Sequence, residues 1–128
     1  MEKKRILVVD DEVSFCMAVK LNLENTRQYE VKIETEGKEV LATARAFKPD
    51  LIFLDVMMQD VDGGEVSNRL KSESELKSVP IVFLTAIISH DEEASAGNIV
   101  GGYPFLAKPV TTERLLECIK KTLNKYLI

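Results

Sequence analysis

The sequence is poor in the residues from which thiol and imidazole sites are built. Its two cysteines, Cys16 and Cys118, have neither the spacing of a metal site nor a disulfide framework, and we expect two reduced thiols in a cytosolic protein. The only histidine, His90, is predicted to lie in a solvent-exposed loop rather than to act as a relay or a metal ligand. Disulfide-rich scaffolds and Cys/His metal sites are therefore disfavoured.

Long apolar runs are also missing. The run Ile6-Leu7-Val8-Val9 follows basic residues, but it ends at Asp10-Asp11, far short of a signal-peptide core or a membrane span. The formal net charge of -4 weighs against direct nucleic-acid binding, because domains that bind nucleic acid are usually basic along one face. We expect a cytoplasmic chain with no membrane contact and no direct nucleic-acid contact.

What the chain does contain is typical of one soluble domain. It has 128 residues, of which 45% are hydrophobic and 30% are charged. That length supports one adequate core and leaves no room for a second folded domain. We expect one domain over residues 1–128.

Short apolar runs alternate with helical patterns from end to end. Strands are predicted at residues 5–9, 31–34, 51–54, 81–84 and 105–107. Helices are predicted at 11–25, after Gly37, around Val66 and Leu70, and after Thr111 or Thr112, with a short or irregular helix within 87–102. The first helix is predicted to be capped by Asp10 or Asp11. Its inward stripe would be Phe15, Ala18, Val19 and Leu23, although Cys16, Met17 and Leu21 leave more than one face apolar. Alternation of this kind predicts a parallel sheet covered by helices on both faces, with right-handed crossovers.

Four of the predicted strands stop at a polar residue. Asp10 and Asp11 follow the first strand, Asp55 the third, Thr85 the fourth and Lys108 the last. Ligands of open parallel sheets bind beyond the carboxyl ends of the strands. The pattern therefore predicts that these five side chains converge at one edge of the sheet.

The chemistry of this set favours a metal and a phosphoryl group. Neighbouring ionised carboxylates repel each other unless a cation joins them, and Mg²⁺ suits few carboxylates together with waters and phosphate oxygens. A carboxylate can also attack phosphorus, and the transferred group then needs a cation, a hydroxyl and an ammonium around its oxygens. Asp10 and Asp11 with Mg²⁺, Thr85 and Lys108 form that set. Asp55 is then the one carboxylate left to attack or to be attacked.

Together these stretches resemble the receiver domain of two-component response regulators, the CheY-like family. The resemblance covers essentially the whole chain and is carried by residues 6–12, 49–58, Asp62-Gly63, 80–86 and Lys108-Pro109. It implies a single doubly wound, flavodoxin-like α/β fold. Its five-stranded parallel sheet would have the order 2-1-3-4-5, with helices on both faces.

The resemblance also implies how the acidic residues divide their roles. By position, Asp55 resembles the phosphoacceptor of the family. Asp10 and Asp11 resemble the acidic pair that holds Mg²⁺, together with Asp55 and the backbone carbonyl of Met57. We expect Mg²⁺ as the cofactor.

Three further residues resemble the parts of the family's switch. Thr85 matches the hydroxyl that moves toward the phosphoryl group, and Lys108 matches the lysine that contacts that group. Phe105 matches the aromatic residue that turns inward when the hydroxyl moves. The surface formed by the helix predicted within residues 87–102, the last strand and the last helix would then change.

The function that the resemblance implies is a phosphorylation-activated signalling switch. Its phosphoryl donor would be a sensor histidine kinase or a histidine phosphotransfer protein, and its readout a partner or output domain. It would not be an enzyme beyond weak self-phosphorylation and self-dephosphorylation. A homodimer through the switch surface stays open.

The chain departs from the family pattern at several positions. Gln59 stands where the family commonly has proline, and Val61 where it often has methionine. Residues 94–102 depart more, and they belong to the region that usually forms the partner and dimer surface. We expect the output to be the most individual part of this chain.

Three other functions are compatible with parts of the sequence. A phosphohydrolase similar to the haloacid dehalogenase family needs Asp-x-Asp after the first strand and a cap domain, whereas this chain has Asp10-Asp11 and no spare length. A flavodoxin-like small-molecule binder needs a first loop rich in Ser, Thr and Gly, which is missing. A phosphorylation-independent interaction module with the receiver fold stays open as the alternative.

Overall fold

The structure is a computed structural model that describes residues 2–86, 99–100 and 103–124. Six strands form one sheet: β1 (Lys4–Val9), β2 (Tyr29–Glu34), β3 (Leu51–Asp55), β4 (Ile81–Thr85), β5 (Ile99–Val100) and β6 (Tyr103–Ala107). Four described helices accompany them: α1 (Val13–Glu24), α2 (Val40–Phe47), α3 (Gly63–Ser72) and α4 (Thr112–Asn124), with a 3-10 turn at Gly37–Glu39. Within these described ranges, no helix is long and apolar enough to cross a membrane.

The sheet has the order β2-β1-β3-β4-β6-β5. The first five strands of that order run parallel, which confirms the predicted five-stranded sheet and its 2-1-3-4-5 order. The two residues of β5 add an antiparallel pair to the start of β6. The parallel strands therefore deliver their carboxyl ends to one edge.

The strand sequences fit these positions. All five residues of β3 and all five of β4 are buried, as expected for central strands covered on both faces. Alternate residues of the central strands pack into two separate hydrophobic cores. One core packs against α1 and α4 and the other against α2 and α3.

The predicted helices are confirmed with changes at α1. The prediction placed a cap at Asp10 or Asp11, but α1 begins at Val13 with Glu12 at its N-cap and no side-chain capping bond. Ala18, predicted to face inward, is exposed, and Cys16 is buried in its place. The apolar residues of α1 lie on more than one face, so the pattern alone did not fix which face packs.

The last helix begins where the sequence predicted. The Thr111 hydroxyl accepts a hydrogen bond from the backbone N–H of Arg114, and Leu115 and Ile119 are buried. The short or irregular helix predicted within residues 87–102 falls almost wholly outside the described residues. Only Ile99–Val100 of that segment is described, and it forms β5 rather than helix.

Candidate functional site

The predicted site residues come together at the carboxyl edge of the sheet. Asp10 directly follows β1 and Lys108 directly follows β6, whereas Asp55 and Thr85 are the last residues of β3 and β4. The polar side chains at the ends of β1, β3 and β4 are buried, since Asp10, Asp55 and Thr85 are each at most 5% exposed. Buried polar residues at adjacent strand ends are the feature of this edge that needs an explanation.

Three carboxylates form the centre of the site. Asp10, Asp11 and Asp55 each offer an oxygen, and these oxygens lie within 4.8 Å of one another. Oδ2 of Asp10 is buried and accepts no hydrogen bond of regular geometry, although the Lys108 ammonium lies 2.5 Å away, so we regard that contact as an ion pair. Hard oxygen ligands, one of them in need of a cation, fit the requirements of Mg²⁺.

Lys108 is the positive charge at this cluster. Its ammonium lies 2.5 Å from Oδ2 of Asp10, 3.5 Å from Oε1 of Glu12 and 3.9 Å from Oδ2 of Asp55. Burial disfavours its charged form, but the contact with Asp10 and the charges of Asp55 and Glu12 outweigh that effect and raise the pKa of Lys108. The lysine therefore stays charged, yet its single positive charge faces three carboxylates.

Asp55 differs from an ordinary aspartate in its ionisation. Burial, and next the negative charge of Asp10, raise its pKa from 3.8 to about 6. The N–H of Met57, which donates to Oδ1 of Asp55 at 3.1 Å, and the charge of Lys108 act in the opposite direction. A carboxylate whose pKa is raised in this way is a candidate reactive group, because perturbed pKa values are typical of functional sites and nearby positive charge favours the ionised form.

The loop after β3 packs closely against Asp55. Gly63 begins α3, and a Cβ atom there would lie 2.5 Å from the backbone oxygen of Asp55 and 2.8 Å from the Cα of Val56. Its N–H donates to the carbonyl of Val56 at 3.0 Å, and Asp62 caps the helix by accepting the N–H of Gly64. The sequence Asp62-Gly63-Gly64 thus lets α3 start directly beside the acidic cluster.

The residues predicted to form the switch lie next to this cluster. Thr85 is buried, and its backbone carbonyl accepts the N–H of Lys108 at 2.8 Å. Phe105 is only 1% exposed and packs in the core that contains Phe83 and Leu54, so its ring is turned inward in this structure. Met57, predicted to offer its carbonyl to the metal, lies two residues after Asp55 in the loop that follows β3. Its side chain is exposed.

Several residues for which the sequence predicts no role also lie at the site. The Lys108 ammonium lies 4.8 Å from the centre of the Phe15 ring, a cation–π contact. The backbone N–H of Gln59 donates to Oδ2 of Asp11 at 3.1 Å. Glu12 carries a signal in the sequence, because it directly follows the two aspartates, whereas nothing in the pattern marks Phe15.

Comparison with known proteins agrees with this geometry. The family described as response regulator receiver domain matches residues 6–120. The polar-differentiation response regulator DivK of Brucella anthropi is 33% identical over 125 residues, which cover 97% of this chain and 98% of DivK. Chemotaxis response regulator CheY4 of Vibrio cholerae has a similar structure, with a TM-score of 0.81, 32% identity and coverage of 95% and 100% of the two chains.

Some relatives are longer than this chain. The alkaline phosphatase synthesis transcriptional regulatory protein PhoP of Bacillus subtilis is 37% identical over 124 residues. Those residues are 95% of this chain but 49% of PhoP. The chain thus spans about half the length of this relative, and nearly all of DivK.

Proposed function

This chain belongs to the family of response regulator receiver domains, and on that premise we propose that Asp55 accepts a phosphoryl group and thereby switches a signalling surface. Domains of this family are phosphoacceptor switches rather than ordinary enzymes, and they bind Mg²⁺ at an acidic pocket. The observation that supports the proposal most directly is the cluster of Asp10, Asp11 and Asp55 with the Lys108 ammonium 3.9 Å from Asp55. The proposed domain is the whole of residues 1–128.

The transfer step requires the ionised form of Asp55. One of its carboxylate oxygens forms a bond to the phosphorus of a phosphohistidine, while the phosphorus–nitrogen bond breaks and the imidazole leaves with the electron pair. Because the pKa of Asp55 is raised to about 6, positive charge at the site favours the nucleophilic form. Lys108 supplies part of that charge from this chain.

Mg²⁺ is the proposed cofactor. Asp10, Asp11 and Asp55 would hold it, together with the backbone carbonyl of Met57. When bound, it supplies positive charge to the carboxylates and to the oxygens of the transferred group. The buried Oδ2 of Asp10, which faces the Lys108 ammonium but accepts no hydrogen bond of regular geometry, is the feature of this structure that best fits such an ion.

The proposed switch involves three residues beside Asp55. A phosphoryl group adds negative charge and strong acceptor oxygens, which draw the Thr85 hydroxyl and the Lys108 ammonium. Movement of Thr85 alters the space beside Phe105, which is buried on the neighbouring strand β6. The signal would leave through β6 and α4 and through residues 87–98, which lie outside the described part of the chain, and a homodimer would use the same surface.

An exposed apolar stripe supports a protein as the phosphoryl donor. Val13, Met17 and Leu21 repeat every four residues along α1 and are 59%, 58% and 62% exposed. This stripe starts three residues after Asp10, whose carboxylate clusters with that of Asp55, so a partner that packs on it would approach the acidic cluster. Exposed large apolar residues in a row are typical of a protein interface. We propose that a histidine kinase or a histidine phosphotransfer protein docks here.

The test is direct phosphorylation. We expect wild-type protein with Mg²⁺ and acetyl phosphate to gain one phosphoryl group by intact mass, and Asp55→Asn to gain none. Asp62→Asn is the matched control, because it removes a nearby carboxylate while asparagine still caps α3. An adduct that persists in Asp55→Asn contradicts the assignment of the acceptor. No adduct on folded wild-type protein, beside a working control receiver, favours the phosphorylation-independent interaction module.

A further inference from the structure

The three carboxylates of the site share one arrangement. Each of them uses one oxygen to accept a backbone N–H: Asp10 from Glu12 at 2.9 Å, Asp55 from Met57 at 3.1 Å, and Asp11 from Gln59 at 3.1 Å. The second oxygen of each carboxylate takes no part in these bonds. Backbone N–H groups thus orient the side chains without neutralising them.

The bond to Asp11 differs from the other two in its origin. Asp10 and Asp55 bind the N–H two residues further along the chain, which is a local turn contact. Gln59 lies 48 residues from Asp11, so this contact depends on where the loop after β3 is held. Because Gln59 stands where the family commonly has proline, it contributes an N–H that proline lacks.

The loop that carries this N–H is fixed at both its base and its tip. A bridge between Met57 and Asp62 closes the base. The next residue after Gln59, Asp60, accepts the N–H groups of Gly37 and Lys38, both at 3.1 Å. These contacts hold the loop against the turn before α2, so the donor is positioned independently of Asp11.

We propose that the backbone N–H of Gln59 is a positioning group for the Mg²⁺ site, which it stabilises by holding the Asp11 carboxylate toward Asp10 and Asp55. The inference rests on the proposed function only in taking these carboxylates as the Mg²⁺ ligands. A hydrogen bond to a charged acceptor that is partly open to water is expected to change Mg²⁺ binding about three- to tenfold. The side chain of Gln59 is not required.

Two substitutions at position 59 separate the backbone group from the side chain. Gln59→Pro removes the N–H, and Gln59→Ala keeps it and removes the amide side chain. The measurement is the Mg²⁺ dissociation constant from NMR titration of labelled full-length protein, without a phosphodonor. We expect Gln59→Pro to bind Mg²⁺ about three- to tenfold more weakly and Gln59→Ala to match wild type.

The same pair of substitutions in Asp11→Ala distinguishes positioning from distortion of the loop. If the N–H acts through Asp11, the difference between Gln59→Pro and Gln59→Ala disappears once the acceptor is gone. A second readout needs no proline: the Gln59 amide proton, shifted downfield by the carboxylate, should move upfield in Asp11→Ala with and without metal.

Several results would overturn the inference. They are equal Mg²⁺ affinity for the two variants at position 59, a difference that persists in Asp11→Ala, or a Gln59 amide shift that Asp11→Ala leaves unchanged. Wild-type protein that is phosphorylated and binds Mg²⁺ while the variants do not differ overturns this inference alone. Wild-type protein that binds no Mg²⁺ overturns the proposed metal site as well.

Discussion

The ammonium of Lys108 and the Oδ2 atom of Asp10 lie 2.5 Å apart, with Asp10 fully buried. The Asp10 carboxylate also belongs to the cluster that we propose for Mg²⁺. Without a metal, the lysine is therefore the main compensation for a buried carboxylate. With a metal, the two cations share that role, which makes the effect of removing Lys108 depend on Mg²⁺.

Lys108→Met should destabilise the metal-free protein. We expect the free energy of unfolding to fall by about 3–5 kcal/mol in a chelator, because Asp10 loses its buried partner. Added Mg²⁺ should restore more stability to this variant than to wild type. Urea unfolding with and without Mg²⁺ measures both effects. The control is Lys121→Met, at an exposed position of α4, with a change within about 0.5 kcal/mol. Equal Mg²⁺ stabilisation of Lys108→Met and wild type would contradict a shared site.

Asp55→Asn should stabilise the protein in a pH-dependent way. The pKa of Asp55 is raised from 3.8 to about 6 in the folded state, chiefly by burial, so its ionisation weakens the fold as pH rises through that interval. Asparagine does not ionise. Without Mg²⁺, the free energy of unfolding of the variant should therefore exceed that of wild type by up to about 2–3 kcal/mol above pH 6. Near pH 4 the two values should be similar.

Denaturant unfolding across this pH range checks the prediction. Saturating Mg²⁺ should reduce the advantage of Asp55→Asn, because the ion favours the ionised carboxylate of wild type. A stability difference that does not change with pH would show that the pKa of Asp55 is the same in the folded and the unfolded protein, which contradicts the raised value.

Met17→Asp should separate protein donors from small ones. A charge in the middle of the exposed stripe of α1 is expected to slow phosphotransfer from a kinase that acts on this chain by about tenfold or more. Labelling by acetyl phosphate and thermal stability should not change, since Met17 is 58% exposed. Asn68→Asp, an exposed position on α3, adds the same charge on another element. Equal kinase rates for the two variants would rule out docking on the stripe.

Lys48→Gly should stabilise the fold without affecting the site. Lys48 ends α2 with φ 55° and ψ 63°, a left-handed conformation that glycine adopts without steric cost. We expect a gain of about 1 kcal/mol, whereas Lys48→Ala should give little or none. Thermal unfolding of both variants provides the comparison. A loss of stability in Lys48→Gly would mean that the lysine side chain contributes more than its backbone strain costs.

The site was more predictable than the contacts that tune it. Apolar runs that end in Asp10, Asp55, Thr85 and Lys108 mark strand ends, and parallel strands must bring such ends to one edge. The amide of Gln59 reaches Asp11 only through the placement of a loop, which no local pattern encodes. Sequence spacing therefore identifies the reacting groups, and tertiary structure determines their hydrogen bonds.

The errors at α1 have a related physical cause. Asp10 and Asp11 are good capping residues in isolation, but both carboxylates face the acidic cluster and leave Glu12 at the N-cap. Of the three apolar residues that made the buried face of α1 ambiguous, Cys16 is buried, whereas Met17 and Leu21 remain exposed. At the start of α1, the site carboxylates are therefore not used as caps. Along α1, apolar residues that could be buried are exposed at the candidate interface instead.

The two edge strands of the sheet, β2 and β5, have features that affect self-association. In β2, the solvent-facing side chains are Glu30 and Lys32, charges that disfavour strand addition by another molecule. At the opposite end, Ile99–Val100 already pairs with the start of β6, where Pro104 has no N–H to offer. Among the described residues, sheet extension is thus disfavoured at both edges. Two copies of the chain would then associate more readily through side-chain packing, which a signal can make and break.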